Sequence, residues 1–235
     1  MITTVNLISG GGSTNLAILQ AQKPGGKLHG LVKTLAIICN SSKAAGILRA
    51  VEVGFLQENI HPVSRAMGDL GKQLLKILDI YKPDFFHQLG WMPLTPKVVV
   101  EHYKGLNQHL GPGGDHMYGE RRTYAHLRFC NLVGEYRPIP VFCQYVHPDY
   151  DQGDVIYVRF EEFSHSESVQ KIAERLLPVE HEVQIEALRL LATGQAHPIP
   201  VPRVYQTPEE KLLMDQARLE AHEFYNLKEK IKRAG

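Results

Sequence analysis

The sequence predicts an α/β fold with a doubly wound, mostly parallel sheet and helices on both faces, which is a Rossmann-like arrangement. Short apolar runs alternate along the chain with longer amphipathic segments, and this order is typical of βαβ units. The runs are almost continuously apolar, as expected for strands that are covered on both faces. The first run also ends in a Gly-rich loop that precedes a helical segment.

The first half of the chain supplies four of the predicted strands, at 4–8, 34–39, 60–63 and 85–89. Helical patterns separate them, at 16–22, 43–53 and 69–81. Asn40 and Ser41 are candidate caps for the second helix. Leucine and isoleucine recur at helical spacing in the third helix, which therefore predicts an apolar face toward the sheet.

The second half begins with a helical pattern at 123–131 and two strand patterns at 139–146 and 155–163. A long helix is predicted from Ser166 to Leu191, and Pro178 is expected to break or kink it. We predict one catalytic domain over residues 1–194. Residues 195–235 would form a proline-rich segment and a C-terminal helix that packs on the body or on a partner.

Charge and cysteine content narrow the class of protein. Lys and Arg total 26 against 25 for Asp and Glu, so no general attraction to nucleic acid or to an anionic membrane is expected. No apolar run has the length of a membrane span. The three cysteines lack a metal-binding spacing, which is typical of reduced thiols and predicts a cytoplasmic protein.

Three separated residues have the chemistry needed for acyl transfer to an amine. Asn107 and His109 are two positions apart, so on a strand both side chains point to one face. An Asn amide can stabilise an oxyanion and a His can transfer a proton near neutral pH. A carboxylate such as Asp151 can orient that His and favour its charged form. An Asn-x-His also occurs by chance in a chain with 12 histidines.

The Gly-rich loop is a candidate anion site. A strand, a Gly-rich loop and a helix in succession direct backbone N–H groups and the helix dipole at an anion. Candidate phosphate-binding residues are Gly11, Gly12, Ser13, Thr14 and Asn15. The spacing is that of neither a triphosphate nor a dinucleotide loop. The alternative is a Gly-rich turn without a ligand.

Four motifs occur in a fixed order. They are the loop at 8–16, Gly90-Trp91-Met92-Pro93-Leu94, Asn107-x-His109 and Asp151-x-Gly153-x-Val155-Ile156. In this order and spacing, from about Thr4 to Gly194, they resemble the formyltransferase family that uses 10-formyltetrahydrofolate. The layout is similar to that of the members that act on phosphoribosylglycinamide (GAR) in purine biosynthesis. The resemblance implies formyl transfer to a phosphorylated primary amine, without a metal.

The resemblance also implies roles for individual residues. Asn107, His109 and Asp151 would be catalytic, with Asp151 raising the pKa of His109. The folate donor would contact Arg65, Trp91, Met92, Leu94, Asn107 and Asp151. The acceptor would use the Gly-rich loop for its phosphate and Glu180 for its amine. The loop from Leu110 to Gly119 differs from the family's usual His-Pro-Ser-Leu-Leu-Pro continuation, which leaves the acceptor open.

Other functions remain open at this point. An amino-sugar nucleotide is an alternative acceptor, whereas the basic surface and further domain of a transfer-RNA formyltransferase are not evident. A zinc hydrolase would need clustered histidines such as His109, His116 and His147, but no zinc motif supports it. A folate-binding relative without activity is a third alternative. A monomer or a homodimer is expected.

Overall fold

A computed structural model describes residues 1–114, 117–149, 151–164 and 166–234, with side chains described up to residue 229. It contains one seven-stranded sheet with the order β3-β2-β1-β4-β5-β6-β7. The strands are β1 Ile2–Ile8, β2 Val32–Cys39, β3 Ile60–Pro62, β4 Phe85–Gln88, β5 Gly105–Leu110, β6 Ile139–Tyr145 and β7 Val155–Glu161. Strands β1 to β5 are parallel to one another, and β6 is antiparallel to β5 and β7 to β6. The predicted fold class is confirmed.

Helices cover both faces of the sheet. They are α1 Ser13–Ala21, α2 Ala45–Glu52, α3 Leu70–Tyr81, α4 Lys97–His102, α5 Glu120–Val133, α6 Val169–Ala192 and α7 Pro208–Ala234. Side chains of α1 and α6 belong to the apolar cluster on one face, and those of α3 and α4 to the cluster on the other. In β1, Leu7 faces the second cluster and Ile8 the first, because successive side chains of a strand alternate between faces.

Helix α1 begins earlier than the sequence predicts, and helix α2 begins later. Helix α1 begins at Ser13 rather than Leu16, directly after Gly12, which has a left-handed conformation with φ 61°. A Cβ on Gly12 would lie 2.9 Å from the Cα of Gly46 in α2, so the loop packs closely on that helix. Helix α2 begins at Ala45 after Ala44, without a side-chain cap, so the predicted caps Asn40 and Ser41 are wrong.

The long helix α6 differs from the prediction in its start and in its continuity. It begins at Val169, where Ser168 caps it by accepting a hydrogen bond from the Lys171 backbone N–H. The predicted break at Pro178 is wrong, because α6 continues through this residue to Ala192. Pro178 is on an exposed part of the helix, where water can solvate the carbonyl that loses its partner.

The C-terminal segment lies against the body of the same chain. Met214 and Ala217 of α7 are buried in a cluster with Phe129 of α5. At the far end of α7, Arg121 donates to Asn226 at 3.0 Å and to Glu229 at 2.9 Å. Burial of apolar side chains together with these charged contacts fixes α7 along α5.

The three cysteines are free and buried. In the described part of the chain, no helix combines the length and the apolar character needed to cross a membrane.

Candidate active site

The loops predicted to form the site follow neighbouring strands. Strands β1, β4 and β5 are adjacent and parallel, so the segments after them emerge at the same edge of the sheet. Gly10 to Gly12 follows β1, Gly90 to Leu94 follows β4, and Gly111 to Gly114 follows β5. This is the edge at which open α/β sheets bind ligands.

Asn107 and His109 lie on one face of β5, as their spacing predicts. The opposite residues on the antiparallel strand β6 are Gln144 and Phe142, respectively. The imidazole of His109 stacks on the Phe142 ring, with centroids 4.5 Å apart and planes inclined by 19°. Only 1% of the His109 side chain is exposed, so packing fixes the ring.

Asp151 reaches His109 from the loop that joins β6 and β7. Its Oδ2 lies 3.2 Å from Nε2 of His109. The same oxygen accepts a hydrogen bond of 3.2 Å from the Gly114 backbone N–H, and the Gln144 side chain donates to Oδ1 at 3.4 Å. The separation to His109 is short, but neither ring nitrogen has a well-aligned hydrogen bond among the described residues. We therefore describe the two side chains as an electrostatic pair.

The backbone at Asp151 has an unusual conformation, and Gly113 packs closely against its side chain. Asp151 has a positive φ of 55°, a conformation that Asp tolerates better than most residues. Gly113 approaches it so closely that a Cβ there would lie 2.5 Å from the Asp151 carboxylate oxygen. Of the nearby carboxylates, Asp149 is 85% exposed and pairs loosely with His147 instead. Asp151 is therefore the carboxylate that the fold brings to His109.

The protonation of His109 differs from the sequence prediction. Burial and the positive charge of Arg122 lower its pKa to about 4, although Asp151 acts in the opposite direction. Asp151 does act to raise the pKa of His109, as predicted, but desolvation of the ring outweighs the carboxylate and the net pKa is lowered. Burial also opposes ionisation of Asp151, yet the nearby His109 and Arg122 leave its pKa below the usual value. At neutral pH the pair is a neutral imidazole beside a carboxylate.

The Gly-rich loop presents backbone N–H donors at the start of α1. The first intrahelical bond of α1 runs from the Leu16 N–H to the Gly12 carbonyl, so the N–H groups of Ser13, Thr14 and Asn15 precede the helical ladder. Thr14 and Asn15 have buried side chains, and the Asn15 amide accepts a hydrogen bond from Asn6 at 2.8 Å. Any anion at this loop would meet main-chain N–H groups and the helix dipole.

The residues predicted to contact the folate donor lie at different depths. Met92 and Leu94 are 54% and 63% exposed, and Arg65 is exposed as well. The Met92 backbone N–H donates to Ser9 at 2.8 Å, which ties this segment to the Gly-rich loop. Trp91 packs on the apolar cluster beneath α3, and its buried indole N–H has no hydrogen-bond partner in the described part of the chain.

Glu180 approaches β5 from the other face. Burial raises its pKa, and a hydrogen bond with Gln108 and the charge of Arg122 oppose this rise. Gln108 stands between Asn107 and His109 on the strand, so its side chain points to the opposite face. The structure therefore places Glu180 near β5, with no contact found to His109 or Asp151 among the described residues.

The site contains contributors that the motifs did not reveal. Arg122 changes the pKa of His109, Asp151 and Glu180, although it lies in α5 and outside all four motifs. Gln144, which is 1% exposed, holds the second oxygen of Asp151. Its place opposite Asn107 depends on the antiparallel pairing of β6, which local sequence patterns do not specify.

The zinc alternative finds no support in the residues that the structure describes. They contain no group of three or more His, Cys, Asp or Glu side chains that could hold a metal ion. His116 lies outside the described residues, as does Asp115, another residue of the loop after His109. His147 is about half exposed, with Asp149 as its nearest carboxylate.

An Asn, His and Asp set at the edge of a doubly wound sheet has the groups that a group-transfer enzyme needs. Comparison with known proteins gives the family: the family described as "Formyl transferase" matches residues 2–188. The chain belongs to this formyl transferase family, which confirms the resemblance predicted from the four motifs.

Relatives of known name agree with the assignment. The chain is 25% identical over 208 residues to phosphoribosylglycinamide formyltransferase of Saccharomyces cerevisiae, covering 80% of this chain and 95% of the yeast protein. It is 34% identical over 110 residues to the Escherichia coli protein of the same name, covering 45% of this chain and 50% of that protein. A structure of glycinamide ribonucleotide transformylase 1 from Geobacillus kaustophilus has a TM-score of 0.67 at 23% identity, covering 82% of this chain and 99% of that chain.

Proposed function

We propose that this enzyme transfers the formyl group of 10-formyltetrahydrofolate to the primary amine of phosphoribosylglycinamide. One observation carries the proposal: His109 lies 3.2 Å from Asp151 and shares its strand face with Asn107, in a chain of the formyl transferase family. The names of the yeast and E. coli relatives support this acceptor.

In the proposed reaction the neutral amine attacks the formyl carbon. A C–N bond to the acceptor forms, and the carbonyl oxygen becomes an oxyanion. The Asn107 amide donates a hydrogen bond to this oxygen. Neutral His109 accepts the proton that the amine must lose, and Asp151 at 3.2 Å stabilises the resulting imidazolium. The proton then passes to N10 of the folate as the C–N10 bond breaks, which releases tetrahydrofolate.

Neutral His109 in the free protein fits this order of events. Its pKa of about 4 leaves the imidazole able to accept a proton at physiological pH. Attack of the amine creates a negative charge on the carbonyl oxygen close to His109, which favours the imidazolium. The fixed carboxylate of Asp151 is already in place, so little reorganisation is needed when the charge forms.

The acceptor and donor are proposed to bind on the loops at the same sheet edge. The acceptor phosphate would bind the free N–H groups of Ser13, Thr14 and Asn15. The folate would lie against the segment from Gly90 to Leu94, where exposed Met92 and Leu94 offer apolar surface, with Arg65 as a further contact. The family resemblance proposes Glu180 as an additional contact for the acceptor, and Glu180 lies next to β5 through its hydrogen bond with Gln108.

The acceptor can be tested directly by competition. Purified protein would be incubated with 10-formyltetrahydrofolate and an equimolar mixture of GAR and an amino-sugar nucleotide, and formylated products would be identified by mass spectrometry. We expect formylated GAR as the dominant product, and about 10²–10³ times slower formation of it with His109→Asn. Formylation of the amino-sugar nucleotide alone would replace the acceptor, and folate binding without any transfer would indicate a non-catalytic relative.

A further inference from the structure

Gln108 lies between Asn107 and His109 on β5 and has no role in the reaction proposed above. Its side chain points to the other face of the sheet, because successive side chains of a strand alternate. On that face Leu106 and Leu110 of the same strand belong to a buried apolar cluster. A glutamine amide beside apolar side chains is unfavourable unless its polar atoms find partners, so packing alone does not explain this residue.

The face of β5 that Gln108 occupies is the face on which α1 and α6 pack. Ile18 of α1 and Val183 of α6 belong to the same apolar cluster as Leu106. Helix α1 starts at the Gly-rich loop, to which we assign the acceptor phosphate. Trp91, in the segment that we assign to the folate, belongs instead to the cluster on the opposite face. Gln108 is therefore on the acceptor side of the sheet.

Glu180 of α6 reaches the same place from the helix. Leu176 and Gln184, which are buried, stand four residues before and after it, so all three lie on the helix face that packs on the sheet. Glu180 forms a hydrogen bond with Gln108. A carboxylate offers about four lone-pair positions, and this bond occupies one of them. Glu180 thus keeps capacity to accept hydrogen bonds from a ligand.

The amide oxygen of Gln108 also has unused hydrogen-bonding capacity. This Oε1 atom is buried and has no hydrogen-bond partner among the described residues. A buried acceptor without a partner is costly, and a ligand that donates to it would remove the cost. Because Oε1 and the amide nitrogen share one carbon, the oxygen lies beside the bond to Glu180. The two side chains therefore place two acceptors next to each other, which fits a ligand with two neighbouring donors.

The proposed acceptor has one such pair of donors. In GAR the ribose joins the phosphate at one end to the glycinamide at the other, and it carries two hydroxyl groups on adjacent carbons. The primary amine has to stay free to attack the formyl carbon and to reach His109, whose side chain is on the other face of β5. The ribose hydroxyls would lie between the Gly-rich loop and His109, where Gln108 and Glu180 meet.

We propose that Gln108 is a specificity-determining residue for the acceptor, and that its Oε1 and the Glu180 carboxylate accept hydrogen bonds from the two ribose hydroxyls. The inference rests on the proposed function and deepens it, because it adds a residue that lies outside the Asn-x-His motif positions. A site that binds a substrate hydroxyl rejects the analogue that lacks it, since the buried polar groups of the site are then left unpaired.

The proposal can be tested by binding in the absence of folate. Titration calorimetry would compare GAR with its 2′,3′-dideoxy analogue on wild-type protein and on Gln108→Met, which keeps the side-chain length without the amide. We expect wild type to prefer GAR by about a hundredfold, as two hydrogen bonds to buried groups would give, and Gln108→Met by about tenfold. Gln57→Met, which changes an exposed glutamine before β3, should keep the wild-type preference.

Turnover gives a second readout that a merely structural role would not produce. Gln108→Met should raise KM for GAR about tenfold and leave KM for 10-formyltetrahydrofolate and kcat close to wild type. A fall in kcat together with a higher KM for the folate would instead show a general disturbance of β5 and overturn the assignment. If Gln108→Met unfolds in a thermal melt, Gln108→Asn takes its place, because its shorter amide does not reach the diol.

The outcomes separate this assignment from the proposed function. Equal affinity of wild-type protein for GAR and the dideoxy analogue would overturn the assignment, as would an undiminished preference in Gln108→Met. GAR turnover together with equal affinity would overturn the role of Gln108 and leave the proposed function in place. A preference for the diol that Gln108→Met reduces, without formyl transfer, would support the assignment and refute only the reaction.

Discussion

At His109, burial and charge act in opposite directions on a single side chain. Its neighbour Asp151 favours the imidazolium, whereas the enclosing protein and Arg122 favour the neutral ring. The sequence indicated the residue and its carboxylate through two short motifs. It could not indicate the sign of the pKa shift, because the stacked Phe142 and the position of Arg122 depend on strand pairing and helix packing.

The first prediction concerns the titration of His109 in the free protein. Nuclear magnetic resonance should show its imidazole titrating near pH 4 in wild type, because burial lowers the pKa. Asp151→Asn should lower the pKa further, since the carboxylate is one of the groups that raise it. A midpoint near 6.5, or a rise in Asp151→Asn, would contradict this description of the site.

The second prediction concerns the close contact at Gly113. Gly113→Ala should displace the Asp151 carboxylate, because its Cβ would lie 2.5 Å from the carboxylate oxygen. Relief of the overlap is expected to cost about 1–3 kcal/mol of stability and to lower kcat. Gly10→Ala is the matched control, since nothing lies within 4 Å of its Cβ. Equal kcat in the two variants would show that the overlap relaxes without moving Asp151.

At the scale of elements, the sequence indicated six of the seven strands, all except β5, and the helix α3 well, whereas it indicated the helix starts poorly. Apolar runs and the stripe of α3 are local signals, and Asp69 caps α3 by accepting from the Lys72 N–H at 2.8 Å. The start of α1 depends on the contact of Gly12 with α2. Such a contact joins segments far apart in the sequence, so periodicity does not reveal it.

The third prediction concerns the attachment of the C-terminal segment. Glu210→Gln removes the charge that pairs with Arg137, and with it the strongest influence on the Arg137 pKa. We expect faster cleavage between residues 195 and 207 in limited proteolysis, because the segment opens more often. Glu209→Gln, which changes the exposed neighbouring residue, should leave the rate unchanged. Equal rates in the two variants would refute the anchoring role of Glu210.

At the scale of the whole molecule, three histidines are buried in the neutral form. They are His87, His109 and His126, and burial lowers the pKa of each to about 4. His87 bonds Gln184 at 2.9 Å and His126 bonds the Arg137 carbonyl at 2.7 Å. His87 lies within the apolar strand β4, where a histidine is more often a hydrogen-bonded core residue than a ligand.

The fourth prediction is a loss of stability in mild acid. Between pH 6.5 and 4 the unfolded chain binds protons that the folded histidines do not, so the free energy of unfolding falls as pH falls. From pH 7 to pH 5 the loss is on the order of 2 kcal/mol for each buried histidine. Urea denaturation at the two pH values measures it, and His126→Asn should reduce the loss by about a third. Equal stability at both pH values would contradict the prediction.

Single-turnover formyl transfer tests the central claim most directly, namely that His109 and Asp151 act as a pair in the reaction. Excess enzyme would be mixed with 10-formyltetrahydrofolate and GAR, and formylated GAR would be measured over time. The account predicts rapid transfer by wild type and a loss of about 10²–10³ in rate for both His109→Asn and Asp151→Asn, with little further loss in the double variant. Wild-type rates in either single variant, or fully multiplicative losses in the double variant, would contradict it.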